Sequence, residues 1–140
     1  MKLYGNVAAL AALASACGLS TGPSDQPIPG QSSEMELRVG EEQVFPGTVL
    51  RIGFVGVAED SRCPLDVVCV WEGNAAAEIG VTAGSGPTRL RVLNTSLEPR
   101  FTDFGGLRVT LIGVTPEPRE AQSIPPESYV LRLRVEQVPS

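Results

Sequence analysis

From residue 34 onward the chain alternates between apolar and polar positions. In EMELRV, Met35, Leu37 and Val39 are interleaved with Glu34, Glu36 and Arg38. TVLRIGFVGV puts Leu50, Ile52 and Phe54 on one side and Arg51 on the other. NAAAEIGVT aligns Ala75, Ala77, Ile79 and Val81, TRLRVLN aligns Leu90 with Val92, and LRVTLIGV aligns Leu107, Val109 and Leu111. The last run, YVLRLRVEQV, sets Tyr129, Leu131, Leu133 and Val135 against Arg132, Arg134 and Glu136. A period of two marks strands with one face in a core and one in water. Beyond the first seventeen residues no window carries the 3.6-residue period of an amphipathic helix.

The breaks between these runs are turn and loop signals: Gly40-Glu41-Glu42, residues 83–87, Gly105-Gly106 and the proline-rich stretch from Pro116 to Pro126. Six to eight short strands punctuated in this way predict an antiparallel β-sandwich of the immunoglobulin-like kind, with a small β-barrel as the alternative. The domain, residues 34–140, is long enough to bury about two-thirds of its extended-chain surface, so its core requires no metal. Tyr129 is expected to seat the final strand in that core.

The amino-terminal stretch MKLYGNVAALAALASAC has another layout. Lys2 begins it, Val7 to Leu13 are apolar, and Ala14-Ser15-Ala16 offers small residues to a peptidase. This is the pattern of an export signal over residues 1–16. The apolar run is well short of the about 20 residues that span a bilayer. LASAC resembles a bacterial lipobox, which implies lipidation of Cys17 and a membrane anchor. Three cysteines in an exported chain leave one unpaired, and a lipid on Cys17 removes the odd thiol. The alternative is ordinary cleavage and a secreted or periplasmic protein. Residues 17–33, rich in Gly, Ser and Pro with Leu19 and Ile28 as the only aliphatics, have too little apolar surface to offset ordering, and read as a tether.

Composition then removes whole classes of chemistry. Without residues 1–16 the chain has ten arginines against sixteen acids, a net −6. With no basic run it is not expected to bind nucleic acid, which requires phosphate neutralisation. There is no histidine, and the only lysine is Lys2. Ser-His-Asp and Cys-His arrangements, His-ligated zinc and Schiff-base lysines are therefore excluded. No phosphate-binding glycine loop or dinucleotide fingerprint appears. The expectation is a non-enzymatic protein without a cofactor.

One segment remains to be explained, DSRCPLDVVCVWEGNA, residues 60–75. Cys63 and Cys69 have five residues between them. A structural zinc site would want four thiolate or imidazole ligands, and the chain does not have them. The spacing is not C-x-x-C, and no lysine or histidine is at hand to lower a thiol pKa. A disulfide formed in an oxidising compartment is the reading that remains, and it holds the loop between the two cysteines in one shape. Trp71 is expected to pack against that bridge, with stacking on a sugar as the alternative. Arg62 is expected to pair with Asp60 or Asp66. Glu59, Asp60, Asp66 and Glu72 are candidate oxygen ligands for calcium, or a solvated rim.

This segment resembles a motif of uncharacterised bacterial secreted proteins and lipoproteins, D-S-R-C-P-x-x-V-x-C-x-W-x-G. Glu72 stands where those proteins commonly have a small residue. The resemblance implies a shared exported β-domain and brings no activity with it. The expected role is that of a cell-envelope interaction module. Its candidate binding loop is Arg62, Pro64, Leu65, Asp66, Val67 and Trp71, and its partners are the membrane, through Cys17, and an envelope protein or glycan. The alternatives are a structural envelope lipoprotein with no ligand and an inhibitor that inserts the loop into a hydrolase cleft.

Overall fold

The computed structural model describes residues 32–139, so the signal, Cys17 and nearly all of the tether lie outside the described residues. Eight strands follow in order: β1 Ser33–Arg38, β2 Glu42–Val44, β3 Leu50–Asp60, β4 Ala75–Ala83, β5 Arg89–Asn94, β6 Phe101–Phe104, β7 Leu107–Thr115 and β8 Val130–Gln137. A single 3-10 turn, Pro126–Ser128, precedes β8. The strands form two four-stranded antiparallel sheets, β1-β8-β7-β6 and β2-β3-β4-β5.

The layers are those of the expected sandwich, but the wiring differs from an immunoglobulin domain, where strands distribute as ABED on CFG. Here every strand within a sheet lies beside its neighbour in sequence, and β8 returns beside β1. The β1–β2 and β5–β6 connections cross between the sheets. The strand order is therefore an up-and-down meander, the pattern of small barrels, flattened into two layers.

Alternation fills the space between the sheets. Leu37, Ile52, Ile79, Val81, Val109, Leu131, Leu133 and Val135 are wholly buried, with Phe54 and Leu111 beside them. Phe45, in the turn after β2, folds in as well. Bulges change which residues point inward. The β3–β4 register shifts between Phe54 and Gly56 and again between Val57 and Glu59. The inward set therefore runs Leu50, Ile52, Phe54, then Val57, then Asp60, which lies opposite buried Ala75. A bulge in β7 between Leu111 and Gly113 likewise turns Val114 into the core.

The expectation for β5 requires correction. Its register sets Leu93 opposite Ala77 and Arg91 opposite Ile79, so Leu90 and Val92 point outward and are exposed. As an edge strand, β5 has its inner face covered only near Leu93, whose bulk fills the space beside the small Ala77. The two outer faces consequently differ. That of β1-β8-β7-β6 bears ion pairs, Arg132 and Arg134 to Glu34 at 3.1 and 3.0 Å and Arg108 to Asp103 at 2.8 Å. That of β2-β3-β4-β5 exposes Val55, Leu90 and Val92.

The ends of the sandwich differ too. Ser33 pairs with Val135 and Leu107 with Gln137, so the chain enters and leaves the domain at the end where Gly105-Gly106 and the 45–49 and 84–88 turns lie. The connections 61–74, 95–100 and 116–129 all lie at the opposite end. The nine residues of β4, at about 3.3 Å each, place roughly 30 Å between the two ends.

Candidate functional site

The second bulge of β3 delivers Asp60 between the sheets, and the loop that follows is built on it. The hairpin continues for two more pairs, with Ser61 N donating to Asn74 O at 2.7 Å and Cys63 N to Glu72 O at 2.9 Å. Gly73 makes this approach possible. Its φ is +73°, and a Cβ there would lie 1.9 Å from the Ser61 carbonyl oxygen. Gly73, two residues after Trp71, therefore permits two backbones to touch.

Beyond this pinch the expected disulfide is present, Cys63 to Cys69, with their Cα atoms 6.0 Å apart. Closing so short a loop stabilises the domain by roughly 2 to 2.5 kcal/mol in the chain-entropy account. Inside the ring, Val67 N donates to Pro64 O at 3.3 Å. Leu65 N donates to Pro118 O at 3.0 Å, and Glu120 N donates to Asp66 Oδ1 at 2.9 Å. These two bonds bind the disulfide loop to the proline-rich 116–122 segment, which is itself tightened by Gln122 N donating to Arg119 O.

Arg62 turns inward and joins the sheets. Its Nε and Nη2 donate to the two Asp60 oxygens at 2.8 and 2.7 Å. Its Nη1 donates to Val114 O, and Nη2 also donates to Pro116 O at 2.9 Å. Glu117 lies 3.7 Å from Nη1. Tyr129, buried at the head of β8, donates its hydroxyl to Asp60 Oδ2 at 3.0 Å. The Arg62–Asp60 pair thus ties the end of β3 to the end of β7 through the guanidinium and to the head of β8 through Tyr129. Burial works to raise the Asp60 carboxyl, but the bonds from Arg62 and then Tyr129 outweigh it and hold the group below the usual carboxylate range. Burial also opposes the Arg62 cation, and Asp60 more than compensates, raising it above its ordinary value. Burial and then the bond to Asp60 push the Tyr129 phenol up. Asp60 is thereby kept ionised and occupied, with the geometry of a clasp rather than of an acid poised to exchange protons.

A second knot lies beside it. Buried Asn74 donates to Asn94 Oδ1 at 2.8 Å, and its own Oδ1 accepts from Ser96 N at 3.0 Å and Leu97 N at 3.3 Å. Asn94 N in turn donates to Pro99 O, so the 95–100 turn is fixed to the base of the loop. Among the described residues no buried side-chain nitrogen or oxygen is left without a partner.

The residues predicted as one binding loop separate into two groups. Arg62 pairs with Asp60 and faces the interior, Pro64 and Val67 are half-buried, and Asp66 is exposed but bonded within the chain. Leu65 and Trp71 face solvent, 60 % and 53 % exposed. Trp71 therefore does not fill the core. Glu59, Asp60, Asp66 and Glu72 do not converge; among the described residues no three acid, cysteine or histidine side chains gather as a metal site would require.

Sequence reasoning missed Val68 and Val70, which are as exposed as in an extended chain, 102 % and 104 %. The signal was in the sequence, since VVCVW breaks the alternation and leaves an apolar run no single strand face can bury. Leu65 and Val68 lie within the ring closed by Cys63 and Cys69, and Val70 and Trp71 directly follow it, so four exposed apolar side chains fall within seven residues. Around them, residues 61–74 and 116–129 carry exposed Asp66, Glu72, Glu117, Glu120 and Glu127, against exposed Arg119 and the committed Arg62. The chain matches no protein-family model, no curated protein and no solved structure.

Proposed function

We propose that this is an exported, non-enzymatic interaction module of the cell envelope, held by a lipid on Cys17, that meets its partner through the tip of the 63–69 loop. The observation that carries the reading is the exposure of Leu65, Val68, Val70 and Trp71 within and directly after that loop. Soluble domains rarely hold several large apolar side chains in water without a use for them. The disulfide and the bonds to Pro118 and Glu120 restrict the loop in advance, which lowers the ordering cost of binding. The position supports it as well, because a tether entering at Ser33 presents the loop end away from its attachment point.

A second reading, a structural envelope lipoprotein without a ligand, is favoured by one observation: Arg62, Asp66 and the Leu65 N–H are all spent on contacts within the chain. Affinity capture from solubilised envelope separates the two. The mature chain is compared with a Val68→Ser/Val70→Ser variant, which should unfold at the same temperature because neither valine is buried. Binding held by the parent and lost by the variant supports the module. Identical capture by both baits, or none by either, leaves the structural reading.

A further inference from the structure

We infer that the free edge of β5 takes up an extended peptide in which acidic and apolar side chains alternate, added to the sheet as a fifth strand. The β4–β5 ladder shows which backbone groups this edge offers. Thr95 N donates to Ala75 O, while Asn94 N turns the other way, to Pro99 O. Bonded and non-bonded pairs alternate along an antiparallel ladder, and this one runs without a bulge from Ala76–Asn94 to Val81–Arg89. Arg89, Arg91 and Leu93 therefore bond to β4, and the N–H and C=O groups of Leu90 and Val92 point away from it. Because β5 ends its sheet, no further strand receives them. Among the described residues, the one bond they make is from Arg91 Nη1 to Leu90 O, at 2.8 Å. The edge of β1 is different: Arg38 N donates to Glu41 Oε2 at 2.9 Å, and Glu36 O accepts from Gln43 Nε2 at 3.0 Å. Two free donors about 7 Å apart along a strand match the carbonyls of another extended chain.

Side chains decide what that chain must carry. Leu90 and Val92 are exposed on the outer face of the sheet, and Arg89 and Arg91 project from the other face of β5. Among the described residues neither of these arginines lies within ion-pair distance of a carboxylate, whereas Arg51, Arg62, Arg108, Arg132 and Arg134 each do. An incoming strand thus meets two unpaired guanidinium groups on one face and two apolar side chains on the other. Carboxylates alternating with apolar residues satisfy both, since opposed unlike charges and apolar pairs stabilise a ladder. Glu78, opposite Val92 on the outer face, keeps the acids to the arginine side. A carboxylate there also draws Arg91 away from Leu90 O and frees that carbonyl for the ladder. A second copy of the chain is a poor occupant. Antiparallel pairing of two β5 edges about a two-fold axis normal to the sheet keeps like faces together and sets arginine against arginine.

This surface is separate from the 63–69 loop, and the test keeps the two apart. The isotope-labelled chain from residue 17 onward, carrying Cys17→Ser, is mixed at neutral pH with a blocked heptapeptide of alternating valine and glutamate. Amide hydrogen exchange is then followed residue by residue by NMR. Exchange at the Leu90 and Val92 N–H groups should slow by about tenfold once the peptide reaches roughly ten times its Kd. The same peptide with lysine in place of glutamate should leave both unchanged. Arg89→Glu/Arg91→Glu should weaken the glutamate peptide by roughly tenfold and accept the lysine peptide instead. Val92→Pro removes an edge donor but no bond to β4, so the fold should persist while protection at Leu90 is lost. Val68→Ser/Val70→Ser should change nothing here, so this inference and the loop reading fail separately. No protection at millimolar peptide, equal protection by the two peptides, or binding that survives either the charge reversal or Val92→Pro overturns the inference.

Discussion

Replacing Arg62 with alanine removes four hydrogen bonds at once: two to the Asp60 side-chain oxygens, one to the Val114 carbonyl at the end of β7 and one to the Pro116 carbonyl just beyond it. The severe consequence is for Asp60, left between the sheets with the Tyr129 hydroxyl but no counter-charge. Removing one partner of a fully buried ion pair costs about 3–5 kcal/mol. The Arg62 and Asp60 side chains are 9 % and 12 % exposed and lie at the rim of the sandwich, so water screens part of the charge. We expect a loss of about 2–4 kcal/mol, which for a domain of this size is a fall in Tm of roughly 10–25 °C. Urea denaturation followed by circular dichroism measures it, and a double-mutant cycle with Asp60→Asn should give a coupling above about 1 kcal/mol. Acidity provides an independent check. Because the folded Asp60 pKa lies below its unfolded value of about 3.9, the pair's contribution is complete above that value and is lost as pH falls through the folded one. The stability gap between parent and Asp60→Asn should therefore close in acid. A parent and Arg62→Ala variant of equal stability at neutral pH, or a coupling near zero, would refute the clasp.

Gly73→Ala should destabilise the domain by more than about 3 kcal/mol, because the new methyl group meets the Ser61 carbonyl and the hairpin pairs must separate, whereas Gly105→Ala, also at positive φ but with open space around it, should cost only about 1–2 kcal/mol; equal losses in thermal unfolding would show that backbone conformation and not contact matters at Gly73. Tyr129 is the only tyrosine after residue 16, so absorbance titrates it alone, and its midpoint should lie above the ordinary value of about 10. Its contribution to stability should be complete below the unfolded pKa and disappear as pH rises through the folded one, and Tyr129→Phe should cost about 1 kcal/mol at neutral pH. A midpoint at or below the ordinary value would break the link to Asp60.

The strand runs were legible because alternation is a local property: successive side chains of an extended chain point to opposite faces, whatever lies beyond them. Met35 and Leu37, Ala77 and Ile79, Leu131 and Leu133 were assigned to the core on that basis, and they are buried. The disulfide was legible by elimination, since two cysteines in a chain without histidine had few other uses. Leu90 and Val92 were misassigned because an edge strand alternates on both faces, and the covered one is chosen by its neighbour. The cysteine pair was legible, but not which side chains of the loop face solvent. Arg62 had two carboxylates within reach along the chain, and only the bulge that turns Asp60 inward selects between them.

By itself the sequence determined the period of two, the antiparallel β class, the identity of most core residues and the cysteine pair, because each follows from local backbone geometry or from counting. Tertiary structure alone decided the meander order, the two bulges that carry Asp60 to the clasp, and the separation of the loop end from the end where the chain enters. It also decided that Val68 and Val70 stand in water. Those properties depend on hydrogen bonds between residues far apart in the chain, such as Leu65 to Pro118 and Arg62 to Val114. No local pattern encodes which distant carbonyl a donor will reach, and that choice forms only when the two sheets close on their shared core.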